Sequence, residues 1–198
     1  MTLRLLLGTA NPGKVAELRR ILAGLDLELL SLDDLGERPP DPAEDAPTYR
    51  ENAAHKAEAY QQATGIATVA DDSGLEVDAL GGAPGVRSRR YFGEDVPAER
   101  RNAMLLGLLD GVEERRARFV CVIALALPLG GTETFDGEVR GEIARTPSGA
   151  TGFGYDPVFV IAGDGRTMAE LPADEKDRLS HRGLACAKLR ARLGGEPR

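Results

Sequence analysis

The sequence predicts a mixed α/β fold, and three observations carry that prediction. In the first half, short apolar runs alternate with segments of helical periodicity. Further on, two long β-rich runs flank Gly130-Gly131, the signature of a hairpin. The composition, 42% hydrophobic and 29% charged over 198 residues, is that of an ordinary globular chain. That length supports one substantial domain, with room for two lobes around a cleft.

The elements follow in order. Leu3–Leu7 is a short apolar run that stops at Gly8-Thr9 and reads as a buried strand. Asn11 is a good N-cap and Pro12 suits the first helical position. Val15, Leu18, Ile21 and Leu22 recur at helical spacing, so a helix is expected to about Gly24. Leu27–Leu30 reads as a second strand. Residues 32–47 are rich in Asp, Glu and Pro and read as a mobile acidic loop. Thr48 followed by Glu51 is a capping box that opens a long Ala-rich helix ending near Gly65. Ile66–Ala70 is then a strand that stops at two carboxylates. Gly81-Gly82-Ala83-Pro84-Gly85 is a loop, and Pro97 to about Leu109 reads as a helix. Arg118–Leu127 is the plainest strand in the chain, with a half-exposed partner at Thr132–Arg145. A glycine-rich loop leads into Phe153–Ile161, and a last helix with Ser180 as N-cap runs to about Leu193 before Gly194.

Composition also excludes some functions. The net charge is -7, whereas a protein that wraps duplex nucleic acid carries a basic face. A small polyphosphate is not excluded, because a few Lys, Arg and backbone N–H groups suffice to hold one. No apolar run approaches 18 residues, and the first residues lack the pattern of a secretory signal, so a cytoplasmic setting and no membrane are expected. Cys121 and Cys186 have no metal-ligand or redox spacing and read as small buried hydrophobes.

The most informative stretch is Val69-Ala70-Asp71-Asp72-Ser73-Gly74-Leu75. Two adjacent carboxylates repel each other unless a cation or proton intervenes. Mg²⁺ takes one or two carboxylates with waters and phosphate oxygens, and a carboxylate left over can orient or deprotonate water. A polar turn after a buried strand is the plain alternative. Thr9-Ala10-Asn11-Pro12-Gly13-Lys14 sits between a strand and a helix start, where free N–H groups favour phosphate, although the spacing is not a Walker loop. Asn52 and Lys56 share a helix face, and Glu44 lies in the acidic loop before them. Gly152-Phe153-Gly154-Tyr155-Asp156-Pro157 interleaves aromatic rings with exposed backbone, which suits a purine base. His181 and Arg182 would occupy a first helical turn, where positive side chains are unfavourable unless an anion compensates. His55 reads as a surface residue. Arg87, Arg89 and Arg90 read by default as a solvated charge run.

Taken in order, the motifs TANPGK, ENAAHKA, ADDSGLEVDALGGAPGV, GFGYDPVF and AELPADEKDRLSHRG resemble the inosine triphosphate pyrophosphatase (Ham1) family, from Leu7 to about Leu189. The resemblance implies a single Ham1-like domain over residues 1–198. It implies an elongated mixed β-sheet flanked by helices, with two lobes and a central active-site cleft. The implied reaction is hydrolysis of ITP, dITP and XTP to the monophosphate and pyrophosphate with Mg²⁺, which removes deaminated purines from the nucleotide pool. By motif position, Asp72 is the implied catalytic base, and Glu44 and Asp72 are the metal-associated acids, with Asp71 adjacent. Substrate contacts are implied for Thr9, Ala10, Asn11, Pro12, Gly13, Lys14, Ser73, Phe153, Gly154, Tyr155, Asp156, Lys176, His181 and Arg182. Asn52 and Lys56 are additional candidates. Lys14, Lys56 and Lys176 would face the triphosphate, and Phe153 and Tyr155 would flank the base. A homodimer is implied as well. Ala10 stands where many relatives have glycine, and Arg89 where a small residue is usual. The alternatives are a pyrophosphatase for other modified triphosphates and a non-enzymatic nucleotide-binding module.

Overall fold

A computed structural model describes residues 2–194. Its strands are β1 (Leu3–Leu7), β2 (Leu27–Ser31), β3 (Ala67–Val77), β4 (Arg116–Leu127), β5 (Gly131–Ile143) and β6 (Phe159–Ile161). Its α-helices are α1 (Pro12–Ile21), α2 (Tyr49–Thr64), α3 (Ala98–Leu108), α4 (Ala173–Leu179) and α5 (His181–Arg192). The strands hydrogen-bond in the order β2-β1-β3-β4-β5-β6. β1 is parallel to both β2 and β3, with Leu5 beside Leu29 and Ala67, so each connection must cross over, and α1 and α2 do so. β5 and β6 are antiparallel. The sheet is therefore mixed, as the alternation of helices and strands followed by a hairpin predicts. Among the described residues no helix is long and apolar enough to cross a membrane.

Local chemistry explains the helix ends. The Asn11 side chain accepts from the Gly13 and Lys14 N–H groups at the start of α1. Thr48 accepts from the Glu51 N–H at the start of α2, and Gly65, at a left-handed φ of 69°, closes its end. His55 is exposed and both cysteines are buried and free, as expected.

The described residues form two compact units. The first comprises the chain up to Asp72, Cys121–Gly137 and the chain from Arg182. Its core joins β1, β3 and β4 to α1 and α5 through Leu5, Leu7, Leu18, Val69, Ile123 and Leu189. The second comprises Ser73–Val120 and Glu138–His181. Its core gathers Leu75, Leu105, Phe119, Ile143, Phe159 and Met168.

Four expectations change. β3 does not stop at Ala70 but runs through both carboxylates to Val77. Successive strand side chains point to opposite faces, so Asp71 and Asp72 each reach separate partners and need not share a space. The final strand is only Phe159–Ile161, because Gly152 and Gly154 adopt positive φ and the chain turns there first. The short α4, entered from Pro172 with Asp174 and Glu175 in its first turn, was not anticipated. The acidic loop is tethered as well: Tyr60 donates to Asp41 at 2.7 Å, and Lys56 pairs with Glu44.

Arg115 secures the second unit after α3. Its guanidinium donates to the carbonyls of Ile143 at 2.7 Å, Leu109 at 2.8 Å and Ala144 at 2.8 Å. Arg115→Met keeps the aliphatic stem but strands those acceptors, so unfolding in urea should show a loss of about 3 kcal/mol. A change under about 0.5 kcal/mol, the usual range for surface substitutions, would contradict this role.

Candidate active site

The first unit gathers a charge cluster around β3. Asp71 is fully buried, and its Oδ2 lies 3.0 Å from Lys14 Nζ. The same oxygen accepts from Arg182 Nε at 3.2 Å and Nη2 at 3.0 Å. Arg182 is only 1% exposed, and its Nη1 donates to Glu17 at 2.6 Å. Two cations and two anions therefore neutralise one another out of water. Burial pushes the Asp71 carboxyl up, but Lys14, Arg182 and Lys56 outweigh it and hold the group well below the usual carboxylate range. The buried Cys121 thiol sits 3.9 Å from the same oxygen and is pushed upward, chiefly by burial and then by the Asp71 charge. Asp71 Oδ1 is buried with no hydrogen-bond partner among the described residues.

Asp72 faces a different set. Asn52, itself fully buried, donates to Asp72 Oδ2 at 3.0 Å and clasps the Ala46 backbone, accepting from its N–H at 3.0 Å. Burial pushes the Asp72 carboxyl up; Lys56 and Lys14 pull it down, Glu44 pushes it up again, and the net shift is upward. The neighbouring carboxylates are thus driven in opposite directions. A carboxylate raised toward neutrality is the better proton acceptor of the two, because general-base strength follows pKa.

Thr9 and Asn11 shape the turn after β1, where the Thr9 hydroxyl accepts from the Asn11 N–H at 3.2 Å. Thr9, Ala10 and Pro12 line a concavity with Arg19 and Ser31. Two of the N–H groups expected to be free at the start of α1, those of Gly13 and Lys14, are held by Asn11.

The second unit builds an aromatic loop. Asp156 Oδ2 accepts from the Phe153 N–H at 2.8 Å and from Lys176 Nζ at 2.6 Å. Lys176 Nζ also lies 4.8 Å from the centroid of the Phe153 ring. Lys176, expected beside a triphosphate, thus already meets a carboxylate and a ring within this loop. A Cβ on Gly152 would lie 2.2 Å from Asp156 Oδ2, so only glycine fits there. Tyr155 is buried, its hydroxyl donates to the Ser88 carbonyl at 3.0 Å, and burial pushes the phenol up to about 12. His181 is 5% exposed and stacks on Phe119 with ring centroids 4.6 Å apart. Ser73 follows Asp72 on β3 and is half-buried. Arg89 is exposed, and its carbonyl accepts from Arg101 at 2.6 Å.

The Ham1 family model matches residues 5–192. The chain belongs to the Ham1 family. It is 50% identical over 193 residues to the dITP/XTP pyrophosphatase of Geobacter sulfurreducens, covering 96% of each chain. A HAM1 protein structure from Coxiella burnetii matches with a TM-score of 0.87 at 38% identity, covering 97% of this chain and 98% of that one. The nucleoside-triphosphatase, or dITP/XTP pyrophosphatase, of Mycobacterium abscessus matches with a TM-score of 0.73 at 45% identity, covering 94% and 98%. The mixed α/β sheet is that of Ham1 structures.

Glu17, Asn102, Ser88 and Phe119 were not singled out from sequence. Glu17 had a signal: it lies three residues after Lys14 and four before Ile21, on the face that α1 buries. The others depend on contacts distant in sequence.

The charge cluster makes a signed prediction for the metal-free protein. Asp71 has a folded pKa below its unfolded one, so it contributes stability above about pH 4 that is lost on acidification. Asp72 has the reverse shift, so its ionisation costs stability as pH rises through the window above its unfolded value. Asp71→Asn should cost about 3–5 kcal/mol at pH 7, less at pH 4. Asp72→Asn should raise the melting temperature at pH 7, with the gain shrinking toward pH 4. Thermal melts of both variants at the two pH values check this; shifts of the same sign would contradict it.

Proposed function

We propose that this Ham1-family chain hydrolyses ITP, dITP and XTP to the nucleoside monophosphate and pyrophosphate, with Mg²⁺. The observation that carries the reading is the divergence of two adjacent carboxylates: Asp71 locked ionised in a buried cluster, Asp72 raised and held by Asn52. The names of the relatives supply the substrate class, and the site chemistry is consistent with it.

The acidic groups fit Mg²⁺. Among the described residues no group of three or more His, Cys, Asp and Glu has metal-holding geometry. Mg²⁺ prefers one or two carboxylates completed by water and phosphate oxygens. Glu44 and Asp72 supply such a pair: Glu44 raises Asp72 by like-charge repulsion, a conflict that a cation relieves. Bound there, the ion would lower the cost of negative charge developing at the α-phosphate.

The chain's own residues divide the remaining work. Asp72 orients a water and accepts its proton as the oxygen attacks the α-phosphorus and pyrophosphate leaves. Asn52 aims the Asp72 carboxylate. Lys56, paired with Glu44, and Lys14, paired with Asp71, place positive charge near the reacting phosphates. Arg182 serves from inside the cluster: it fixes Asp71, and through it Lys14. Phe153 offers a ring face to the base, with Lys176 and Asp156 bracing the turn. His181 and the loop backbone favour a 6-keto oxygen over an amino group, because a site built for one leaves a buried partner unsatisfied by the other. The chain acts as one domain over residues 1–198, as a cytoplasmic homodimer, with no nucleic-acid or membrane partner, in keeping with its net charge of -7.

Pyrophosphate release from ITP, XTP, GTP and ATP, with and without Mg²⁺, tests the reading. Metal-dependent release from ITP and XTP well above GTP and ATP is expected, and Asp72→Asn should lower kcat on the order of 100-fold or more. Binding without turnover by the native chain would favour the binding module. Preference for a modified pyrimidine triphosphate would favour the other alternative.

A further inference from the structure

We propose that Asn102 on α3 is a positioning residue for purine recognition, acting by pinning the peptide at the centre of the Phe153–Asp156 turn. The inference rests on the assignment of base recognition to the aromatic loop. The Asp156 N–H donates to the Phe153 carbonyl at 3.3 Å, which closes a four-residue turn. Gly154 has a φ of 65°, and Tyr155 follows at φ -93° and ψ 6°. The Gly154 carbonyl belongs to the central peptide, the unit whose rotation converts one turn type into another. Asn102 Nδ2 donates to that carbonyl at 3.1 Å.

Two further restraints on the turn act elsewhere. Asp156 holds the Phe153 N–H, and the Tyr155 hydroxyl reaches the Ser88 carbonyl. Ser88 is braced in turn, accepting from the Leu75 N–H at 2.8 Å and donating to the Gly85 carbonyl at 2.7 Å. Neither tie fixes the central peptide. Asn102 does, from a side chain only 4% exposed, on a helix anchored in the core by Leu105. Its Oδ1 is buried and without a hydrogen-bond partner among the described residues, an arrangement that costs stability and that an apolar residue would avoid. A buried carboxamide with one unsatisfied oxygen, its donor spent on the turn that carries Phe153 and Tyr155, points to a functional demand.

Asn102→Asp tests this at nearly constant volume, since it replaces the donor with an acceptor facing the Gly154 carbonyl. Expected are a KM for ITP raised tenfold or more, kcat within threefold of native, and a narrowed ratio of kcat/KM for ITP over ATP. Amide hydrogen exchange across residues 152–157 should accelerate, and Asn102→Ala should give the same pattern with smaller amplitude. An unchanged KM and unchanged loop exchange in folded variants, beside an active native enzyme, would overturn the role of Asn102. If Asn102→Asp does not fold, Asn102→Ala decides by the same two readouts. A native chain inactive on ITP would instead overturn the purine assignment; hydrogen exchange, which needs no substrate, would still report whether Asn102 holds the turn.

Discussion

The first unit is organised around one buried oxygen, Asp71 Oδ2, which receives Lys14 from α1 and two nitrogens of Arg182 from α5. Burying a charged group this deeply requires opposite charge beside it, and the cluster supplies it, with Glu17 completing two positive and two negative charges. An apolar core of the same volume would serve stability as well or better. What an apolar core would not do is hold a lysine at the start of α1 and keep a carboxylate ionised next to a second one. Neutralising Asp71 in this way eases the repulsion on its neighbour, so that Asp72 is set chiefly by its burial, then by Lys56, Lys14, Glu44 and Asn52.

The opposite behaviour of the neighbouring acids follows from strand geometry. β3 continues through the pair, so the two side chains leave on opposite faces into unlike surroundings. One meets cations in a closed interior; the other meets an amide and a mixed set of charges. Two titratable groups driven apart by environment can take different protonation roles, and the role proposed for Asp72 is that of the base. Asp71, Asp72 and Arg182 all belong to the first unit, together with Lys14, Glu17 and Asn52.

Much of this was legible in the sequence because it is local. Asn11, Thr48 and Gly65 mark helix ends by chemistry that needs no tertiary contact, and they act as their positions imply. The adjacent acids and the interleaved aromatics announced themselves by breaking ordinary patterns. His181-Arg182 at a helix start broke one too, and the compensating anions at Arg182 are Asp71 and Glu17. The continuation of β3 was hidden because a run of Asp-Asp-Ser-Gly has poor strand propensity, and its place between β1 and β4 and the partners supplied by α1, α2 and α5 override it. Asn102 and Ser88 were hidden for the same reason: an asparagine in a helix and a serine after a loop look ordinary until Gly154 and Tyr155 fold against them. The short α4 lacked a side-chain cap, and its Lys176 matters through Asp156, twenty residues away.

The most direct measurement is a carbon-detected NMR titration of the aspartate carboxyl groups in the metal-free protein, assigned with Asp71→Asn and Asp72→Asn. Asp72 should titrate above the ordinary aspartate range near pH 4, while Asp71 should remain ionised through and below it. Titration of both groups together near pH 4, or protonation of Asp71 before Asp72 on acidification, would contradict the division of labour between scaffold and base.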